Sequence, residues 1–460
     1  METESVNPLG SEPVGKLMLK FAVPSIIAML VGALYNIVDQ LFIGQAVGTN
    51  GNAATNIAFP LTTMCISLAL MFGVGGASCY NLSLGRGDKQ KAPFFVGNSF
   101  TMLLVCGAVL CVFTEVLLDP LLIFFGSPAE VLPYAQEYVR ITAFGFPFLI
   151  LTTGGGHLLR ADGSPGMTMF CSIIGAVINT GLDALFVFVF NWGMSGAAWA
   201  TIIGQFISAC VVIWYIFFRF HTTRLKGEHF VPHGRIIAKT ASIGLASFIN
   251  QIAIMAVQVT INNLLKYYGG QSVYGESVPL AASGIVMKVN QIVFSFSIGL
   301  GQGSQPIESF NYGARRYPRV KKALLLASGT SVGISLIAFV FFQTMPRQIL
   351  SLFGTGSEEY FTFGENFFRI FLFLVPLVSL QPVVSTFFTS IGKPIKGVIL
   401  SLSRQILLFL PLSVILPMFF GIDGIVFAGP VSDLISTTLT VIMALAEISS
   451  MNRQQESPQT

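Results

Sequence analysis

Charge is what this sequence lacks. Only 10% of its 460 residues are Asp, Glu, Lys or Arg, against about 25% in an ordinary soluble domain. That deficit excludes a water-soluble globule, a disordered chain and a nucleic-acid-binding protein. Paired cysteines are missing too. The six cysteines (Cys65, Cys79, Cys106, Cys111, Cys171, Cys210) all lie inside apolar runs and form no CxxC, so they read as small buried hydrophobes rather than disulfide or metal ligands. No HExxH, no GxSxG and no histidine cluster appears, which leaves a membrane-embedded transferase without its catalytic constellation. A cleaved signal peptide is also lacking. The first apolar run follows Lys16 and Lys20, exceeds the length of a signal core and has no small-residue cleavage site, so it is read as a retained span.

What is present is apolar length: 53% hydrophobic residues and a mean hydropathy of +0.74. The runs are long and continuous, not the short alternating segments of a β-barrel. At about 20 apolar residues per crossing, they predict an all-α integral membrane protein. Twelve spans are expected, at 21–45, 53–83, 94–118, 134–158, 166–190, 195–218, 239–268, 279–308, 323–344, 365–388, 397–419 and 424–447. Lys and Arg concentrate in alternate loops: Arg86, Lys89 and Lys91; Arg160; Arg219, Arg224, Lys226, Arg235 and Lys239; Arg315, Arg316, Arg319, Lys321 and Lys322; Lys393 and Lys396. Arg347 is the clear exception on the other side. By the positive-inside rule, the chain is a multi-pass cell-membrane protein with both termini cytoplasmic.

The sequence repeats itself. Gly73, Gly75 and Gly85 recur 228 positions on as Gly301, Gly303 and Gly313. Gly163 and Pro165 recur as Gly392 and Pro394, and Gly193, Gly196 and Ala200 as Gly421, Gly424 and Ala428. Two pseudo-symmetric lobes follow, 1–218 and 239–460, with six helices in each and a polar, basic cytoplasmic linker at 219–238. An even number of spans per half inserts both halves in the same direction. That is the parallel-repeat plan of transporters in which one lobe rocks against the other around a substrate cleft.

An ionisable side chain in hydrocarbon costs at least about 2.5–3.5 kcal/mol, so the few present carry information. Asp39 lies in the first span with Tyr35 one turn before it, and Asp183 lies in the fifth with Asn179 one turn before it. Residues four apart share a helix face, so each acid has an oxygen-bearing neighbour. If the two spans meet, the result is a hard-oxygen cluster suited to a proton or a small hard cation. Asp433 in the last span and Lys288 in the eighth are candidates for a secondary role, or for pairing with each other as a structural contact. Arg404 reads as a pairing or snorkelling residue, and His157 as packing.

Four motifs give the chain its resemblance: VDQLFIG at 38–44, NTGLDALFVF at 179–188, GMSGAAWAT at 193–201 and QPIESFNYGARR at 305–316. With these it resembles the multidrug and toxin extrusion (MATE) transporters, nearest the MepA-like and DinF-like branch, over nearly its whole length. The resemblance implies twelve helices in two six-helix lobes. It also implies that Asp39, Tyr35, Asn179, Asp183 and Thr201 bind the coupling ion. The chain departs from the NorM-like branch, which carries acids in helices seven and ten; here Asn250, Gln251 and Gln381 stand in those spans.

The expected activity is export of lipophilic organic cations in exchange for H⁺ or Na⁺ by alternating access, without a cofactor or nucleic acid, by a monomer in the lipid bilayer. If the ion is Na⁺, Asp39, Asp183 and Asn179 are its expected ligands, with Gln251 among the possible secondary residues. A cleft lined by Phe and Met would hold flat cations by dispersion and cation–π contact. The alternatives are a flippase for a lipid-linked precursor, which would want basic residues within the first lobe, a membrane-embedded transferase, and a channel or receptor.

Overall fold

The computed structural model describes residues 7–125, 127–275, 277–352 and 357–456, and these form helices and connecting turns without a strand. Ten helices are long and apolar enough to cross a membrane, and two bent pairs bring the number to twelve. In chain order these are α1 (Val14–Ala46), α2 (Thr49–Gly85), α3 (Ala92–Val116), α4 (Leu132–Ala143 with Phe146–Ala161), α5 (Pro165–Val189) and α6 (Gly193–Phe218). The second half continues with α7 (Gly234–Gly270), α8 (Ser277–Gly313), α9 (Tyr317–Thr344), α10 (Glu358–Phe371 with Val375–Ser390), α11 (Pro394–Phe420) and α12 (Ile422–Glu456). The bends in α4 and α10 are 57° and 52°. Each falls just before a proline, Pro147 and Pro376, whose missing N–H and ring displace the helix path.

One end of the bundle gathers the termini and the basic loops. Leu9, Val14 and Met451 share a core cluster, and the Tyr317 hydroxyl donates to Gln454 Oε1 at 2.8 Å. Two anionic staples hold this basic end. Asp162, after α4, accepts from the Tyr215 hydroxyl at 2.8 Å and from the backbone N–H groups of His221 and Thr222 at 2.9 Å. Glu447 of α12, fully buried, accepts from Lys393 at 2.5 Å and Lys396 at 2.6 Å. Each ties the turn after a bent helix to the closing helix of its own half.

The connection between the halves is docked rather than loose. His229 packs edge-on against Phe94, Asn98 Nδ2 donates to the His229 carbonyl at 2.9 Å, and the His233 N–H donates to Asn98 Oδ1 at 2.7 Å. Consequently α7 starts at Gly234, inside the stretch expected to be linker, and Ile236, Ile237, Ala241 and Ile243 join the core of the first half.

The halves meet backbone to backbone at the basic end. A Cβ on Gly75 would strike the Thr240 carbonyl, and one on Gly244 the Met71 carbonyl. On the other side of the bundle, a Cβ on Gly303 would lie 2.5 Å from Ala22 Cα and one on Gly299 2.6 Å from Ile26 Cα. Only glycine lets helices approach this closely. The two seams are related by a pseudo-two-fold axis. Gly85 faces Phe310 and Gly313 faces Leu82, reciprocally at the 228-residue spacing, while Ala22 and Ile26 correspond to Thr240 and Gly244 at a spacing of 218.

The 305–316 motif is the latch of this closure. Gln305 Nε2 donates to the Val74 carbonyl at 3.2 Å and to Ser78 Oγ at 3.0 Å. Asn311 Nδ2 donates to the Leu9 carbonyl at 2.9 Å, and Arg316 Nη1 to the Gly10 carbonyl at 2.7 Å. Away from this end the second half packs on itself, through a cluster whose buried members all come from residues 257–428.

Gly75→Val should overpack the α2–α7 seam, where the obstacle is backbone. The expected cost is about 1–3 kcal/mol. In a background with the native cysteines replaced, a cysteine at position 78 should then react several times faster with a membrane-impermeant maleimide. Unchanged labelling together with unchanged thermal stability would contradict the seam described here.

Candidate functional site

Within the first half, α1, α5 and α6 bring five of the expected residues together. Asp183 is fully buried, Asp39 is 8% exposed, and Asn179 and Thr201 are buried beside them. Asn179 Nδ2 donates to Thr201 Oγ1 at 3.2 Å. This bond uses the amide's donor side, and its oxygen has no partner. Asp39 and Asp183 lie within interaction range of each other, and Tyr35 lies against Asp39 and Thr201. A sixth residue, Tyr138 of α4, reaches the electrostatic field of both acids. It carries no sequence signal, because the bend in α4 decides which face of that helix turns inward.

Several acceptors of the site have no donor. Asp39 Oδ1, both Asp183 oxygens and Asn179 Oδ1 are buried and receive no hydrogen bond. Buried acceptors need a donor or a positive charge. Two carboxylates with amide and hydroxyl oxygens form a hard donor set, suited to a proton or a cation such as Na⁺ rather than a soft metal. Immediately after Asp183 the helix widens into a π-helical stretch, Ala184–Val189, a local distortion that frequently accompanies functional positions.

The second half has no copy of this cluster. By the spacings that relate the halves, Asp39 corresponds to Val257, Asp183 to Leu412 and Thr201 to Gly429. The scaffold is repeated and the chemistry is not.

The remaining expected residues go elsewhere. Asp433 does not meet Lys288. Its partner is Arg404, with Nε 2.9 Å from Oδ1, and Arg404 also lies over the Phe294 ring at 5.8 Å. The physical reason is register: α11 and α12 pack side by side, and a second π-helical stretch, Ser403–Phe409, carries Arg404 toward α12. Lys288 is half-buried and forms no ion pair among the described residues. Gln251 lies on α7, in line with the Gly244 contact. Gln381 is a tie between helices, donating to the Leu400 carbonyl at 2.8 Å.

Arg160, read from the sequence as a loop cation, sits in the last turn of α4 at 3% exposure, near His157. Sequence reasoning also missed Glu308, fully buried in α8 beside the hydroxyls of Ser304 and Ser390. It stands at the very end of the span expected at 279–308, with no mark of its own in the sequence.

Comparison with known proteins bears on the family and the fold. The family model described as MatE matches residues 24–185 and 246–415. The multidrug export protein MepA of Staphylococcus aureus (strain MSSA476) is 25% identical over 360 residues, 78% of each chain. An FAD transporter of Shewanella oneidensis is 23% identical over 445 residues, covering 92% of this chain and 93% of that one. A solved outward-facing multidrug resistance MATE transporter of the MOP superfamily superposes with a TM-score of 0.90 at 22% identity, covering 98% of this chain and 99% of that chain.

The Arg404–Asp433 pair should be structural. Asp433→Asn leaves a buried guanidinium without its counter-charge and should cost about 3–5 kcal/mol, whereas Arg404→Met with Asp433→Leu should recover most of that loss. Thermal unfolding in detergent measures both. A stable Asp433→Asn protein that has lost transport would instead place Asp433 in the transport machinery.

Proposed function

The chain belongs to the MatE family of membrane transporters, and on that premise we propose that it is a multidrug exporter driven by H⁺ or Na⁺ exchange at the Asp39–Asp183 cluster. One observation carries the proposal: two buried acids with undonated oxygens stand in one half, where the pseudo-symmetric half has apolar residues. The cargo is lipophilic, organic cations among it, and binds in the cleft between the lobes.

The coupling follows from α1. Its outer part holds Tyr35 and Asp39 in the ion cluster, and its inner part, from Val14 to Ile26, packs against α8 in the closure. Asp39 and Ile26 are thirteen residues apart, about 20 Å along a helix. Between Ile26 and the chain's start stands Pro24, which removes a rung from the hydrogen-bond ladder of α1. A change in the ion cluster therefore reaches the seam through one continuous element.

With the basic end cytoplasmic, the closure described above separates the cleft from the cytoplasm. An ion arriving from outside neutralises the acid pair and weakens its hold on cationic cargo. The loaded form then reorients, and the ion leaves to the cytoplasm as new cargo binds. Exchange requires only that ion and cargo differ in affinity between the two states.

Ethidium efflux from proteoliposomes, driven by a proton gradient or a sodium gradient one at a time, names the ion. Asp39→Asn and Asp183→Asn should each reduce the gradient-driven rate at least about tenfold in folded protein. Wild-type rates in both single variants would eliminate the cluster as the coupling site.

A further inference from the structure

The second-lobe wall of the cleft is polar and cationic, and its helix registers show this. On α8, Gly299 and Gly303 mark the face that touches α1. Lys288 stands eleven residues toward the other end of the same helix. Eleven residues are about three turns, so it lies within about 20° of that face and about 16 Å beyond the seam. The opposite face of this part of α8, with Val286 and Val293, is packed into the second lobe's own core. One turn from Lys288, a Cβ added at Gly284 would meet open space. Lys288 therefore stands on the α1 side of α8, away from the face that packs into its own lobe's core.

Helix α7 adds the second half of this wall. The strip that begins with Thr240 and Gly244 at the α2 seam continues through Gln251, Gln258 and Asn262 at helical spacing. The Gln258 amide donates to Asn262 Oδ1 at 3.1 Å. Val257 and Ile261 face the lobe's core instead.

Neither strip carries a carboxylate. The membrane-embedded acids of this lobe stand elsewhere: Asp433 is paired with Arg404, Glu447 with Lys393 and Lys396, and Glu308 lies at the basic end near Ser304 and Ser390. A primary ammonium held partly out of water among amide side chains attracts an oxyanion. Removal from bulk water strengthens that pairing, and the amides offer further donors.

Resting on the exporter reading above, we infer that the cleft also takes amphipathic anions. These are molecules with an apolar body and a carboxylate or phosphate head that pairs with Lys288. The apolar body lies against the first-lobe wall, and the head faces α7 and α8. The same lysine disfavours a cationic head at that position, so the sign of the cargo's charge is read at Lys288.

Three fluorescent probes with one dansyl-alkyl body and different heads, carboxylate, phosphate or trimethylammonium, test this in proteoliposomes of the full chain. Wild type should export at least one anionic probe, and the head that is exported identifies the oxyanion. Lys288→Gln should lower the anion-to-cation transport ratio at least about tenfold, Lys288→Arg should preserve it, and Lys288→Glu should turn it in favour of trimethylammonium. For a variant that transports none of the probes, fluorescence anisotropy in detergent replaces the rate, with at least a tenfold loss of affinity for the anionic probe expected. An unchanged ratio in both Lys288→Gln and Lys288→Glu overturns the inference. Failure of the ion-site reading has a different signature, undiminished export of all three probes by Asp39→Asn, and leaves the head-group ratio readable.

Discussion

Direct contact of bare backbones at one end of the bundle is the constraint on which the rest of this structure depends. At Gly75, Gly244, Gly299 and Gly303 the helices approach until no side chain fits between them. In a bilayer, where association cannot draw on the hydrophobic effect, such close packing is a principal source of attraction between helices. These contacts sit at the end of the bundle that carries the basic loops. A side chain at any of these glycines would hold the lobes apart, and a polar latch such as Gln305 would no longer reach across.

The two halves share a scaffold but differ in electrostatic content. The first lobe buries two acids among undonated oxygens; the second has Val257, Leu412 and Gly429 at the matching places. A duplicated backbone permits this division of labour because helix packing is set mainly by small residues and helix spacing, which both halves retain. The few polar positions are then free to diverge. Ion chemistry on one side and cargo contacts on the other can change independently, provided that α1 continues to connect the cluster to the seam.

Much of this was legible in the sequence. Apolar length marked the spans, because hydrocarbon admits few alternatives to a helix. Glycine spacing revealed the repeat, because close approach requires glycine wherever it occurs. Asp39 and Asp183 stood out for their scarcity, and their helical neighbours Tyr35 and Asn179 pointed to a shared site. What stayed hidden depends on packing between distant segments. The Asp433 partner could not be read, since a π-helical turn around Arg404 shifts its direction. Tyr138 entered the site through a bend. Arg160 looked like a loop residue because its helix runs further than hydropathy alone suggests, and Glu308 stood unmarked at the end of an expected span. The 218-residue spacing that relates α1 to α7 was likewise invisible, because only backbone contacts set that register.

The docked connection between the lobes has a mechanical consequence. Its carbonyls and N–H groups are held by Asn98, and the first turns of α7 are packed into the neighbouring lobe's core. The flexible joint of the molecule is therefore not the segment that links the two lobes in sequence. In the proposed exchange, the opening turns of α7 travel with the partner they are embedded in, and the remainder of that helix travels with its own. The boundary between moving bodies passes through the middle of a helix, so rocking must be accommodated by flexure of α7 itself.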